Sequence, residues 1–121
     1  MLRTILVIED TTNIRTLLRI LLKRFGYEVI EASSGLEAFE LVKNFAPDLI
    51  LTDISLPEID GLNITRAIRK IKGFEEIPII AITAQSEMFY KRAIEAGCND
   101  LIDKPLDFQR LESTLEQYLR K

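Results

Sequence analysis

Short apolar runs alternate along the chain with longer segments in which apolar residues recur every three or four positions. The first run, Ile5-Leu6-Val7-Ile8, has the uninterrupted aliphatic character of a strand that is buried on both faces. The next segment begins at Thr11 and Thr12, which can cap a helix, and ends at Phe25 before Gly26. Its predicted core face consists of Ile14, Leu17, Leu18, Leu21 and Phe25.

The same pair of patterns recurs four more times. The further predicted strands are Tyr27–Ala32, Leu49–Thr52, Pro78–Ile82 and Leu101–Ile102. The further predicted helices are Gly35–Asn44 with Ser34 as its cap, Leu62–Ile71, a helix from the Ser86 cap to Ala96, and Phe108–Arg120. This alternation with short links predicts an α/β fold, in which one five-stranded parallel sheet is covered by helices on both faces. We expect a single domain over residues 1–121.

Composition removes several classes of function. The 121 residues are 47% hydrophobic and 29% charged, which is typical of one globular domain. The net charge of -3 lacks the basic excess of a nucleic-acid-binding protein. With no histidine and one cysteine, Cys98, the chain can form neither a His-dependent catalytic triad nor an intrachain disulfide. No apolar run approaches the roughly 18 residues of a membrane span, and a strand begins almost at Met1, so we expect a cytoplasmic protein.

Polar residues follow four of the five predicted strands. Glu9 and Asp10 come after the first strand, Asp53 after the third, Thr83 after the fourth and Lys104 after the fifth. The carboxyl ends of parallel strands meet at one edge of the sheet, where open α/β folds bind ligands. The sequence therefore predicts that three carboxylates, a hydroxyl and an ammonium group lie together.

Three neighbouring carboxylates repel one another, and a divalent cation would relieve that repulsion. Oxygen ligands suit Mg²⁺, with Mn²⁺ as a substitute. Together with Lys104, such a cation neutralises the site, which could then accept a phosphoryl group. We expect Asp53 to be the nucleophile, and Thr83 and Lys104 to hold phosphoryl oxygens. A backbone carbonyl of the following loop, that of Ser55, is a further candidate metal ligand.

Five sequence pieces carry a family resemblance. They are the acidic pair Glu9-Asp10, the D-x-x-L-P-x-x-D-G segment from Asp53 to Gly61, Ile-Thr-Ala at 82–84, Glu-Ala-Gly at 95–97 and Lys-Pro at 104–105. Each piece alone is weak, but in this order on a five-fold strand–helix frame they are highly specific. The chain resembles the receiver domains of bacterial two-component response regulators over essentially its whole length.

The resemblance implies a flavodoxin-like doubly wound fold with strand order 2-1-3-4-5. It implies Asp53 as the phosphoacceptor, Glu9, Asp10 and the Ser55 carbonyl as Mg²⁺ ligands, and Thr83 and Lys104 as phosphoryl contacts. The expected function is a phosphorylation-switched signal receiver, which is no enzyme beyond its own phosphotransfer and autodephosphorylation. The expected partners are a histidine kinase or histidine phosphotransfer protein as donor and a downstream protein target, without nucleic acid or membrane.

The sequence departs from the family pattern at two positions. Glu9 stands where the family often has aspartate, and Leu101 stands where it usually has an aromatic residue that reorients with the threonine on activation. A partner surface is expected at five residues: Ile14, Phe89, Tyr90, Leu101 and Pro105. Of the adjacent aromatics on the fourth helix, Phe89 or Tyr90 should be partly exposed, because successive helical residues point about 100° apart.

Simpler interpretations exist for each residue alone. Thr83 could cap a turn, Lys104 could be a solvated lysine, and Glu9 and Asp10 could be charges favoured by a helix dipole. Alternatives for the whole chain are a haloacid-dehalogenase-like phosphatase, a flavin or nucleotide binding module, and a receiver that binds partners without phosphorylation. The chain could also be a receiver excised from a hybrid kinase or a longer regulator.

Overall fold

The computed structural model of the chain describes residues 2–54 and 59–119, without the side chains of residues 59 and 60. Strands and helices alternate through these residues as the sequence predicts. The strands are β1 (Thr4–Ile8), β2 (Glu28–Ala32), β3 (Leu49–Asp53), β4 (Ile79–Thr83) and β5 (Asp100–Asp103). The helices are α1 (Thr12–Arg24), α2 (Gly35–Val42), α3 (Ile59–Arg69), α4 (Ser86–Ala96) and α5 (Phe108–Leu119).

The five strands form one parallel sheet in the order β2-β1-β3-β4-β5. The predicted doubly wound fold and its strand order are therefore confirmed. The order reverses direction between β1 and β3, where Ile8 is opposite Thr52. In open parallel sheets this switch point is where a crevice opens beyond the carboxyl ends of the strands.

Two hydrophobic clusters, one on each face of the sheet, make up the core. Alternate strand residues point to opposite faces, so neighbours such as Leu6 and Val7 belong to different clusters. The cluster containing Leu6 packs against α2, α3 and α4, and the cluster containing Val7 packs against α1 and α5. Burial on both faces explains why the central strands β1, β3 and β4 are mainly aliphatic, whereas the edge strand β2 carries Glu28 and Glu31. None of the described helices is both long and apolar enough to cross a membrane.

The buried face of α1 differs in part from the predicted face. Leu18 and Leu21 are buried as expected, but Leu17 is 45% exposed and Leu22 is fully buried. The helix carries more apolar residues than one stripe can hold, so its rotation against the sheet decides which of them are covered.

The predicted helix caps are confirmed at one of two serines. The Ser34 hydroxyl accepts a hydrogen bond from the Glu37 amide at the start of α2. The prediction for α4 is wrong, because Ser86 is already the first helical residue and Gln85 occupies the cap position without a side-chain cap bond.

The carboxyl end of α4 is fixed by an arginine from α3. Gly97 ends α4 in the left-handed conformation, with φ of 118°. Two nitrogens of the Arg69 guanidinium donate to the Gly97 carbonyl at 3.0 and 2.7 Å. The same group donates to the Phe74 carbonyl and to the Asn99 side-chain oxygen, which also accepts the Ile79 amide. This contact joins α3, α4 and the start of β4.

Replacing Gly97 by alanine should destabilise the protein for two reasons. A Cβ there would lie 2.8 Å from Cγ of Arg69, and the left-handed backbone disfavours any side chain. We expect Gly97→Ala to lower the free energy of unfolding by about 2–3 kcal/mol, measured by urea denaturation. Gly26→Ala is the matched control, because Gly26 also has positive φ but an added Cβ meets nothing within 4 Å. Equal losses of stability in Gly97→Ala and Gly26→Ala would show that the Arg69 side chain moves aside at no cost in free energy.

Candidate functional site

Two acidic residues meet at the switch point of the sheet. Asp53 is the last residue of β3, and Glu9 directly follows β1. Since Ile8 is opposite Thr52, the next pair along the register is Glu9 and Asp53. The Asp53 carboxyl lies close enough to that of Glu9 to help raise the pKa of Glu9. The predicted gathering of these two acids at one edge is therefore present in the structure.

The two carboxyl groups are buried, and each has an oxygen that accepts no hydrogen bond from a described residue. Glu9 is 3% exposed, and its Oε2 accepts the Thr11 amide at 2.7 Å. Within the described part of the chain, Oε1 of Glu9 and Oδ1 of Asp53 have no hydrogen-bond partner. Burial, with the neighbouring Asp53 carboxyl as the next cause, raises the pKa of Glu9 to about 8. Buried carboxylate oxygens that accept no hydrogen bond are suited to a cation.

Lys104 supplies a positive charge at this site. Its Nζ lies 2.8 Å from Oδ1 of Asp53, whose side chain is only 4% exposed, and the contact is an ion pair without hydrogen-bond geometry. Its side chain is 32% exposed, so the ammonium group lies between the buried carboxylate and solvent. The simpler interpretation of Lys104 as a solvated loop lysine does not fit this contact.

Thr83 ends β4 and is almost fully buried. Its hydroxyl oxygen accepts the Gln85 amide at 3.1 Å, so it does form the turn of the simpler interpretation. A hydroxyl that accepts one hydrogen bond still has its own proton to donate. Its backbone carbonyl accepts the Lys104 amide at 3.0 Å, which ties the ends of β4 and β5 together.

The other two predicted metal ligands are Asp10 and the backbone carbonyl of Ser55. Asp10 is exposed beside Glu9, before the start of α1, and α1 has no acidic residue in its first turn. Ser55, whose carbonyl was the further candidate, lies outside the described residues. In residues 2–54 and 59–119, no three acidic or cysteine side chains close into a ready-made metal cage. The residues present fit a cation bound by the Glu9 and Asp53 oxygens at the edge of an otherwise open site.

Two of the five predicted partner-surface residues are buried, so the prediction is wrong for them. Phe89 is 7% exposed because α4 turns it toward the sheet with Ala93 and Ala96, which lie four and seven residues further along. Leu101 is 5% exposed within the cluster on the α2–α4 face.

The other three predicted surface residues differ in exposure. Tyr90 is 54% exposed and Pro105 is exposed, whereas Ile14 is half-buried against the cluster on the α1–α5 face.

One contact at this edge was not predicted from the sequence. Arg15 of α1 donates from Nη1 to the Glu9 carbonyl at 2.8 Å and pairs with Glu31 of β2. Nothing in the local pattern distinguishes Arg15 from Arg19 or Arg24 on the same helix, since the contact depends on where the end of β1 lies.

Comparison with known proteins identifies the family. The response regulator receiver domain model matches residues 5–116. The chain belongs to this family, and it is a receiver domain of two-component signalling. This confirms the resemblance that the five sequence pieces carry.

Relatives and solved structures are similar over nearly the whole chain. The polar-differentiation response regulator DivK of Brucella ovis is 38% identical over 120 residues, covering 98% of each chain. The receiver domain of a sensor histidine kinase from Pseudomonas aeruginosa, which has a magnesium ion coordinated in its active site cleft, is 30% identical with a TM-score of 0.89 and full coverage of both chains. Chemotaxis protein CheY4 of Vibrio cholerae is 26% identical with a TM-score of 0.90, covering 98% of this chain and 100% of its own.

Removing the Lys104 charge should destabilise the fold through Asp53. Lys104→Met leaves a buried carboxylate without its ion-pair partner, so we expect the free energy of unfolding to fall by about 1–3 kcal/mol. Lys43→Met is the control, because the Lys43–Glu40 pair has a similar separation, 3.1 Å, but is exposed on both sides. Thermal and urea unfolding of both variants in EDTA measure the difference. Equal effects would mean that the Lys104 contact is an ordinary surface pair.

Proposed function

We propose that this receiver accepts a phosphoryl group on Asp53 from the phosphohistidine of a partner protein and signals through altered protein contacts. The observation that carries the proposal is the surroundings of Asp53. Its buried carboxylate is in contact with Glu9 and lies 2.8 Å from the Lys104 ammonium group. An acid held between a second acid and a lysine at a ligand-binding edge is suited to phosphoryl chemistry.

The donor set fits a hard divalent cation. Glu9 and Asp53 would hold Mg²⁺ through their oxygens, with Asp10 and the Ser55 carbonyl as further ligands and Mn²⁺ as a substitute. When bound, the cation supplies charge neutralisation for the carboxylates and for the oxygens of the transferred group. The magnesium ion in the Pseudomonas aeruginosa relative supports this assignment.

The chain's own residues account for the transfer. An oxygen of the Asp53 carboxylate attacks phosphorus, the bond from phosphorus to the donor imidazole nitrogen breaks, and the imidazole leaves with the electron pair of that bond and takes a proton from solvent. The Lys104 ammonium group, already at Asp53, neutralises the oxygens of the new aspartyl phosphate. The Thr83 hydroxyl donates its free proton to one of these oxygens. Since the donor is another protein and the product stays on the chain, the receiver is no enzyme for an external substrate.

The signal leaves the site through α4. Phosphorylation adds roughly one negative charge at Asp53, and the Thr83 hydroxyl is recruited toward it. That hydroxyl also holds the Gln85 amide, which precedes α4. Leu101 has no ring to reorient, so this hydrogen bond is the route by which the charge biases two packings of α4. Met88 and Tyr90 are exposed on that helix and are available to a downstream protein.

Intact-mass spectrometry tests the chemistry. Incubation with Mg²⁺ and acetyl phosphate or phosphoramidate should add one phosphoryl group to the parent protein and none to Asp53→Asn, and EDTA should prevent the addition. Asparagine is close in shape to aspartate, so the variant keeps the fold and removes only the nucleophile. An adduct on Asp53→Asn, or none on a parent protein that has also been offered a phosphohistidine donor, would contradict the proposal.

Docking of the donor is expected on α1. Leu17 and Ile20 are 45% and 50% exposed on this helix, which begins beside Glu9 and Asp10 and so presents an apolar face next to the site. A helical histidine phosphotransfer domain could cover that face while its phosphohistidine reaches Asp53. We expect Leu17→Glu to slow transfer from such a donor at least about fivefold, while labelling by acetyl phosphate stays unchanged.

The matched control for docking is Leu36→Glu. Leu36 is 69% exposed at the start of α2, on the opposite face of the sheet from α1. The variant introduces the same charge away from the proposed contact. Equal rates for the parent, Leu17→Glu and Leu36→Glu would show that the donor docks elsewhere.

A further inference from the structure

We infer that Arg15 is a positioning residue for the cation site, acting through the main chain of Glu9. The inference rests on the proposed function, because it concerns the site at which Mg²⁺ would bind. Arg15 is the fourth residue of α1, and its side chain is 18% exposed. Arg15 contacts the main chain of Glu9 and does not reach Asp53 through any described contact.

The Arg15 guanidinium joins three elements at this edge. Its Nη1 donates to the Glu9 carbonyl at 2.8 Å, and its Nε lies 3.3 Å from Oε1 of Glu31. Glu31 belongs to β2 and is opposite Val7 of β1 in the sheet register. The guanidinium thus bridges α1, the end of β1 and β2. A planar fork with fixed donor directions suits such a bridge better than a flexible ammonium group does.

The direction of the Glu9 backbone determines where its carboxyl group points. The Glu9 amide donates to the Ala32 carbonyl at 3.0 Å, and the Arg15 contact fixes the carbonyl on the other side of the same residue. The side chain is then held by the Thr11 amide through Oε2, and Oε1 has no hydrogen-bond partner among the described residues. Arg15 therefore holds the peptide that links Glu9 to Asp10, the two adjacent acids of the site. Groups in this outer position orient the ligands that contact a metal.

Electrostatics alone predicts the opposite effect of removing Arg15. A guanidinium is a permanent positive charge, and one placed near a cation site opposes cation binding. If Arg15 only contributed charge, its removal would strengthen Mg²⁺ binding. If it positions Glu9, its removal weakens binding despite the lost repulsion. The sign of the change therefore distinguishes the two roles.

The neighbouring arginine provides a matched control. Arg19, one turn further along α1, pairs with the other oxygen of Glu31 at 3.0 Å. Among the described contacts it reaches Glu31 and not Glu9. Arg19→Gln therefore removes the same charge and disturbs the same glutamate without touching the main chain of the site.

The experiment is a Mg²⁺ titration of the full chain followed by backbone amide NMR shifts, together with thermal unfolding in EDTA. We expect Arg15→Gln to weaken Mg²⁺ binding roughly 10-fold and Arg19→Gln to leave the affinity within about twofold of the parent. At saturating Mg²⁺, Arg15→Gln should still be phosphorylated by acetyl phosphate at the parental rate, because Asp53 and Lys104 are intact. A shifted Mg²⁺ requirement with an unchanged saturated rate is not expected from a general loss of stability.

Two results would overturn the inference. One is that Arg15→Gln binds Mg²⁺ as tightly as the parent or more tightly. The other is that Arg15→Gln and Arg19→Gln weaken Mg²⁺ binding equally. If Arg15→Gln does not fold, Glu31→Gln takes its place, since it removes the β2 side of the bridge that Arg15 forms. A Mg²⁺ affinity of Glu31→Gln no weaker than that of Arg19→Gln then overturns the inference. A parent protein that binds no Mg²⁺ overturns the proposed function as well, whereas a parent that binds and is phosphorylated isolates the failure to Arg15.

Discussion

Parallel pairing of β1 with β3 brings the carboxyl groups of Glu9 and Asp53 into contact at the buried end of the sheet. Like charges at such a site repel, and burial removes the water that would screen them. The surrounding polar groups respond to this charge: Lys104 pairs with Asp53, and the Thr11 amide donates to Glu9. These contacts leave the edge acidic, which is the property that the proposed binding of a cation and a phosphoryl group requires.

The two-sided core confines this chemistry to the strand ends. Because helices cover both faces of the sheet, the central strands β1, β3 and β4 are mainly aliphatic, and polar residues mark their carboxyl ends. For the same reason the sequence could predict where the strands lie along the chain. It could also predict the polar residues at their carboxyl ends, which are Glu9, Asp53, Thr83 and Lys104. The strand order followed from the family resemblance, since alternation alone fixes only that the sheet is parallel.

Helix rotation and long-range contacts could not be predicted in this way. The choice between Leu17 and Leu22 on α1, or between Phe89 and Tyr90 on α4, depends on how each helix is turned against the sheet. On α4 that turn is set by Ala93 and Ala96, whose small side chains face the sheet together with Phe89. The Arg15 contact depends on a backbone carbonyl, which has no signature in the sequence.

Helix α4 is held differently at its two ends. The Arg69 guanidinium fixes the carboxyl end at the Gly97 carbonyl, whereas the amino end meets the site through the hydrogen bond from the Gln85 amide to Thr83. If α4 turned about its fixed carboxyl end, it would act as a lever about 16 Å long with its pivot at Gly97. A rotation of about 4° around that pivot carries the Gln85 end through about 1 Å. The displacement would then be largest in the turn next to the site and smallest at Arg69, so under the proposed function a binding partner would sense the amino-terminal part of α4.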